Sequence, residues 1–142
     1  MPPSPRAFYR LLRIHQLTYA YLGETLKPVN MTPHQYAVLS LVKRFAPTTS
    51  AELARRLRIS AQSAGESLNA LLAKGLIQRS ASPENKRIVV LTPTSAGKKL
   101  LLRLDRLAAD AERRYFSCIS TEDLESLIKT IQRIRVEKGD SP

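Results

Sequence analysis

Tryptophan is absent from this chain, cysteine occurs once and histidine twice. The single Cys118 cannot close an internal disulfide, which argues against a stapled secreted scaffold. Two histidines and one cysteine form no metal-spaced cluster, and the sequence holds no Gly-rich phosphate loop and no nucleophile elbow. The reading is therefore no enzyme, no metal and no cofactor. Long apolar runs are also missing: none approaches the roughly 18–20 residues of a membrane span. The opening "MPPSPR" has the prolines of a tail rather than the apolar stretch of a signal peptide. Together these absences suggest a soluble cytoplasmic protein without a membrane segment.

Aromatic residues are scarce too, at 6%, so a chain that is 43% hydrophobic must build its core mainly from Leu, Ile, Val and Ala. Acidic residues are few: 12 Asp and Glu face 23 Lys and Arg, giving a net charge of +11 over 142 residues. An excess of this size points to a polyanionic partner, nucleic acid or an anionic membrane surface, or else to a solvated basic face. The length suits one domain or two closely packed lobes.

What is present is helical periodicity. Ser4-Pro5 reads as an N-cap and first helical residue, and Phe8, Leu11, Leu12, His15, Tyr19, Leu22 and Leu26 mark one long amphipathic helix ending before Pro28. Thr32-Pro33-His34-Gln35 is a capping box that opens a second helix through Tyr36, Leu39 and Val42. Thr49-Ser50-Ala51-Glu52 reads as another box, opening the short helix "SAELARRLRI". Ser60 caps the next helix, and Gly75 stands where a left-handed residue ends it. Two β-prone runs, residues 76–79 and 88–91, flank a polar tip and predict a hairpin. Thr92-Pro93 is expected to start a helix running to about Phe116. Ser120 caps the last one, with the stripe Leu124, Leu127, Ile128, Ile131 and Ile134. The fold class is mainly α (α+β): four helices, a hairpin, two helices.

Residues 51–72 have the form of a helix-turn-helix. Projected at about 100° per residue, the longer helix puts Ala61, Ala64, Leu68, Leu71 and Leu72 on one side, to pack on Leu53 and Leu57. Gln62, Ser63, Glu66, Asn69, Ala70 and Ala73 fall on the other side, and they are small or amide-bearing. A helix entering the major groove must approach base edges closely, where amides, hydroxyls and carboxylates read bases and long cations would reach for phosphates. Ser60, Gln62, Ser63, Glu66 and Asn69 are therefore the candidate base-facing residues. Gly65 interrupts this helix at a cost of about 1 kcal/mol relative to Ala, which a close backbone approach to DNA or to another helix would justify. The hairpin makes the motif a winged one and supplies Arg79, Lys86 and Arg87 for phosphate or minor-groove contact.

These segments resemble the winged-helix core of the multiple-antibiotic-resistance regulator (MarR) family. The matching residues are Glu52, Leu53 and Ala54, Ser60, Leu68 and Leu71, Lys74-Gly75-Leu76-Ile77, Arg79, Arg87, Leu91-Thr92 and Gly97. The upstream "MTPHQYAVL" is similar to the family's second helix, and the flanking helices extend the likeness over nearly the whole chain. One departure lies in the wing, where the family often carries Asp-x-Arg and this chain has Ser82 and Glu84.

The resemblance implies a double-stranded DNA-binding transcriptional regulator, more often a repressor, acting as a homodimer on a palindromic operator. The apolar stripes of the first and the last two helices look too extensive for one small lobe. Residues 5–28 and 99–138 are accordingly expected to form a helical dimerisation lobe and residues 31–98 the DNA-binding lobe; an intramolecular bundle is the alternative. Similar proteins often sense small aromatic molecules between such lobes. Here His15, Tyr19, Met31, His34 and Tyr36 lie on segments suited to an effector pocket, although His15 and the tyrosines also suit an interface or a core. Family peroxide sensors keep their reactive cysteine on the first helix, so Cys118 is expected to be a buried small residue. The rival reading is a winged helix used as an architectural or protein-interaction module that binds DNA without reading it.

Overall fold

A computed structural model of the chain describes residues 6–140, so the expected Ser4-Pro5 cap lies outside the described residues. The order is α1 (Ala7–Leu26), a 3-10 turn (Lys27–Val29), α2 (Pro33–Phe45), α3 (Ser50–Leu57), α4 (Ala61–Ala73), β1 (Ile77–Ala81), β2 (Val89–Pro93), α5 (Ser95–Tyr115) and α6 (Thr121–Glu137). The chain divides into two compact units, Met1–Ala108 and Ala109–Pro142.

In the first unit Leu26, Leu39, Leu53, Leu71 and Leu104 are fully buried, joined by Val38, Val42, Leu68, Ile77 and Leu91. As the composition requires, this core is aliphatic. Helices α2, α3 and α4 start where a side chain satisfies an orphan N–H group. Thr32 and Gln35 form the full capping box, with reciprocal bonds of 3.1 and 3.2 Å. Ser60 Oγ accepts from the Ser63 N–H at 3.1 Å. Gly75 ends the α4 segment at φ +67, in the left-handed region.

Three details differ from the sequence reading. Thr49 accepts from the Glu52 N–H at 3.2 Å, but the Glu52 carboxylate does not return the bond; it accepts from Thr48 Oγ1 at 3.1 Å, so the box is half a box. Thr92-Pro93 does not open a helix. Pro93 ends β2, and Thr94 caps α5 by accepting from the Gly97 N–H at 3.0 Å. The strands lie one or two residues later than the β-prone runs, paired antiparallel with Arg79 opposite Leu91.

Two close approaches fix the hairpin to the helices. Thr48 and Leu91 exchange backbone bonds of 3.2 and 2.7 Å, which ties β2 to the segment before α3. A Cβ at Gly97 would lie 1.9 Å from the Leu76 carbonyl oxygen, so only glycine lets α5 pass the start of β1 this closely.

In the second unit, α6 is capped by Ser120, whose hydroxyl accepts from the Asp123 N–H at 3.0 Å, and none of its residues is buried. Arg113 pairs with Asp110. Cys118 is exposed, against the expectation of a buried small residue: it lies in the turn between α5 and α6, beyond the packed part of α5.

Candidate nucleic-acid interface

Helix α3 ends at Leu57 because Arg58 takes a left-handed conformation (φ 52), and the chain turns directly into α4. Ala64, Leu68 and Leu71 then face the core. Gln62, Ser63, Glu66, Asn69 and Ala73 are exposed, as the projection predicts. Ala61 and Ala70 depart from it, Ala70 being half-buried. Ala61 is exposed, since nothing in the described residues covers the first turn of α4. Ser67 is buried and bonds to the Ser63 carbonyl at 3.2 Å, which lets a polar residue sit on the packed side.

The exposed face is organised by its own hydrogen bonds. Ser60 Oγ donates to Ser63 Oγ at 3.0 Å. Gln62 Nε2 donates to Glu66 Oε1 at 3.3 Å. From β1, Arg79 Nη2 donates to Asn69 Oδ1 at 3.1 Å, joining the hairpin to the helix. The structure therefore brings Ser60, Gln62, Ser63, Glu66, Asn69 and Arg79 into one region. Gly65 packs on no neighbouring helix: a Cβ there meets nothing within 4 Å. It lines a cleft of about 320 Å³ with Ser50, Leu68, Arg79, Val89 and Leu91.

Lys86 and Arg87 are exposed at the hairpin tip. The tip is shaped by Asn85, whose side chain accepts from the Arg87 N–H at 3.0 Å and whose carbonyl accepts from the Ile88 N–H at 3.0 Å. Among the described residues no ion pair joins Arg87 to Glu84.

A second basic cluster escaped the motif reading. Arg56 lies 3.6 Å and Arg44 5.2 Å from the centre of the Phe45 ring, in cation–π geometry, at the C-terminal ends of α3 and α2. Lys43 and Arg55 stand in the same last turns. Charge counted along α2 and α3, rather than around the wing, would have found them.

The candidate effector residues part company. Tyr19 and Met31 line a cavity of about 370 Å³ with Gly23, Lys27, Pro33 and Lys74, between α1, α2 and the end of α4. The Lys74 ammonium donates to the Asn30 carbonyl and to Gln35 Oε1 at 3.1 Å. His15, His34 and Tyr36 are not in this lining. His15 stands 6.0 Å from the Tyr19 ring, and Tyr36 donates to Asp105 Oδ1 at 2.7 Å. Lys74 was read from sequence only as a family-pattern residue, because its partners lie 44 and 39 residues away.

A short helix, a left-handed turn, a helix with an exposed amide face and a two-stranded hairpin define a winged helix-turn-helix protein. The family model described as MarR family matches residues 29–88, from the 3-10 turn through β1 and the hairpin tip. Over residues 29–88 the chain is thus similar to the MarR family of winged-helix transcriptional regulators. It is similar to the HTH-type transcriptional repressor Rv2887 of Mycobacterium tuberculosis, with 22% identity covering 89% of this chain and 91% of that protein. The regulator YybA of Bacillus subtilis is 26% identical, covering 77% and 73%. Among solved structures, the transcriptional repressor CouR bound to a 23-mer DNA duplex is 27% identical, with a TM-score of 0.84 over 90% of this chain and 91% of that one. A mutant MarR from E. coli, complexed with operator DNA, shares the fold at 24% identity and a TM-score of 0.79, covering 88% and 91%. These relatives are regulators rather than enzymes. Among the described residues no helix is long and apolar enough to cross a membrane.

Proposed function

We propose that this protein is a sequence-specific DNA-binding repressor that acts in the cytoplasm as a homodimer on a palindromic operator. The observation that carries the reading is the face of α4, where Gln62, Ser63, Glu66 and Asn69 stand exposed while Leu68 and Leu71 hold the helix to the core. Ser60, Gln62, Ser63, Glu66 and Asn69 meet base edges in the major groove. Arg79 borders this face through its bond to Asn69, and Lys86 and Arg87 serve the phosphates beside it. The repressor names of Rv2887 and CouR support the direction of regulation.

Dimerisation is supported by apolar side chains that the chain leaves in water. Phe8 is 81% and Leu12 62% exposed on α1, and Ile128 is 51% and Ile134 50% exposed on α6. Residues 5–28 and 99–138 supply the dimerisation surfaces, and residues 31–98 the DNA-binding part. A small aromatic effector occupies the cavity lined by Tyr19 and Met31, where Lys74 offers a cation to an acidic group.

The test is a gel shift at physiological salt, with palindromic DNA flanking the protein's own gene against a scrambled duplex of the same length. Binding at least about 10³-fold tighter to the palindrome is expected. Equal binding would support the rival architectural role. Adding small phenolics to the same assay checks for release.

A further inference from the structure

The two amides on the outer face of α4 are held in opposite senses. Arg79 Nη2 bonds Asn69 Oδ1, so the carbonyl end of that amide is turned to the hairpin and its NH2 points away from it. Seven residues earlier the arrangement is reversed. Gln62 Nε2 is turned to Glu66 Oε1, which leaves the Gln62 carbonyl oxygen as the open end. Neither bond depends on DNA, so both orientations exist before a duplex arrives.

We propose that Arg79 is a specificity-determining residue that acts through Asn69. It sets α4 to present a donor at Asn69, while the Glu66 carboxylate sets it to present an acceptor at Gln62. This rests on the base-reading role assigned to α4 above and names the bases. A donor alone is accepted by guanine O6/N7, thymine O4 or adenine N7 and rejects cytosine, which offers only its amino group, whereas an acceptor selects the amino group of adenine or cytosine. The bidentate pairing of an amide with adenine needs both ends offered to one base, and Arg79 removes that option at Asn69. At about 1.5 Å per residue the two amides are roughly 10 Å apart along the helix, about three base-pair steps of 3.4 Å. Each half-site therefore carries a base other than C opposite Asn69 and an A or C about three base pairs away.

The experiment is selection of the full-length protein on randomised duplexes at physiological salt, with Arg79→Ala, Arg79→Lys, Asn69→Ala and Gln62→Ala beside the wild type. Circular dichroism checks that each variant is folded. The wild type should disfavour C about tenfold at one position per half-site. Arg79→Ala and Asn69→Ala should both flatten that position and leave the A-or-C position intact. Gln62→Ala should do the reverse. Arg79→Lys keeps the charge but loses the planar fork, so it should flatten the same position with little loss of overall affinity. If Arg79→Ala weakens every sequence alike with the profile unchanged, Arg79 is a phosphate contact and the proposal fails. Adenine preferred opposite Asn69 would also overturn it. A wild-type profile flat at every position would instead remove the base-reading role of α4, and the proposal with it, before any variant is compared.

Discussion

Helices α4 and α6 are built by the same local rules and end in different surroundings. Each is capped by a serine whose hydroxyl accepts the N–H three residues on, at 3.1 Å for Ser60 and 3.0 Å for Ser120. Each repeats leucine or isoleucine at spacings of three and four. Yet α4 buries Ala64, Ser67, Leu68 and Leu71, whereas α6 buries nothing. Capping and periodicity form a helix; what lies against it decides whether its stripe is a core. Charge draws the same contrast. Residues 1–108 hold 17 Lys and Arg against 5 Asp and Glu, and residues 109–142 hold 6 against 7. The unit that contains α4 is shaped for a polyanion. The unit that contains α6 carries an apolar stripe with no charge excess to keep like chains apart.

Charging the α6 stripe breaks this comparison most severely. Burying the exposed half of Leu127, Ile128, Ile131 and Ile134 is worth on the order of 4 kcal/mol per protomer, doubled across a two-fold axis. Ile128→Asp with Ile131→Asp should turn the proposed dimer into monomer in sedimentation, while α4 and its core stay folded. A compact dimer in the double variant would show that the stripe of α6 does not join the protomers.

In α4 the corresponding change acts inside the chain. Leu71 is fully buried, so Leu71→Ala should lower folding stability by about 2–5 kcal/mol, read as a fall in the urea midpoint. Gly97→Ala tests the helix-to-hairpin contact in the same way. The displaced atom would be a backbone oxygen, so a loss of about 3 kcal/mol or more is expected. Unchanged midpoints would show that these contacts yield more easily than their packing suggests.

Much of this was legible from sequence because it is local. The Thr32, Ser60 and Ser120 caps and the left-handed Gly75 each depend on residues within about four positions. The exposed amide face of α4 was legible for the same reason, since helical geometry alone separates Gln62 and Asn69 from Leu68 and Leu71. What was missed is non-local or degenerate. Thr92-Pro93 suits a helix start, but proline also ends an edge strand, and only the pairing of Ile77 with Pro93 decides between them. Ser67 looks polar until its hydroxyl is satisfied within the helix. The Thr48–Leu91 bridge, the Lys74 bonds to Asn30 and Gln35, and the Arg79–Asn69 bond join segments whose spacing carries no periodic signal. The last of these joins the hairpin to the exposed face of α4.

Smaller effects separate reading from grip. Ala at Gln62 or Asn69 should cost about 1–3 kcal/mol on the preferred duplex and little on random DNA. Equal losses on both duplexes would show that α4 grips without reading.

The smallest expected effect belongs to the hairpin tip, where Glu84 stands among Lys86 and Arg87. No ion pair joins Glu84 to Arg87 among the described residues; the Arg87 backbone is held by Asn85 instead. Arg87 is exposed and suited to a phosphate. Arg87→Ala should therefore weaken all sequences alike and flatten the slope of log affinity against log salt by about 1, since one fewer counterion is released. Glu84→Ala discriminates further. An anion with no pairing role at a DNA-facing tip repels phosphate, so its removal should tighten binding, by more at low salt than at high. If Glu84 instead pairs with Arg87 in solution, an exposed pair worth about 0–1 kcal/mol, its removal should loosen the tip and weaken binding. Weaker binding by Glu84→Ala, together with an unchanged salt slope for Arg87→Ala, would move Arg87 from the phosphates to the hairpin's own structure.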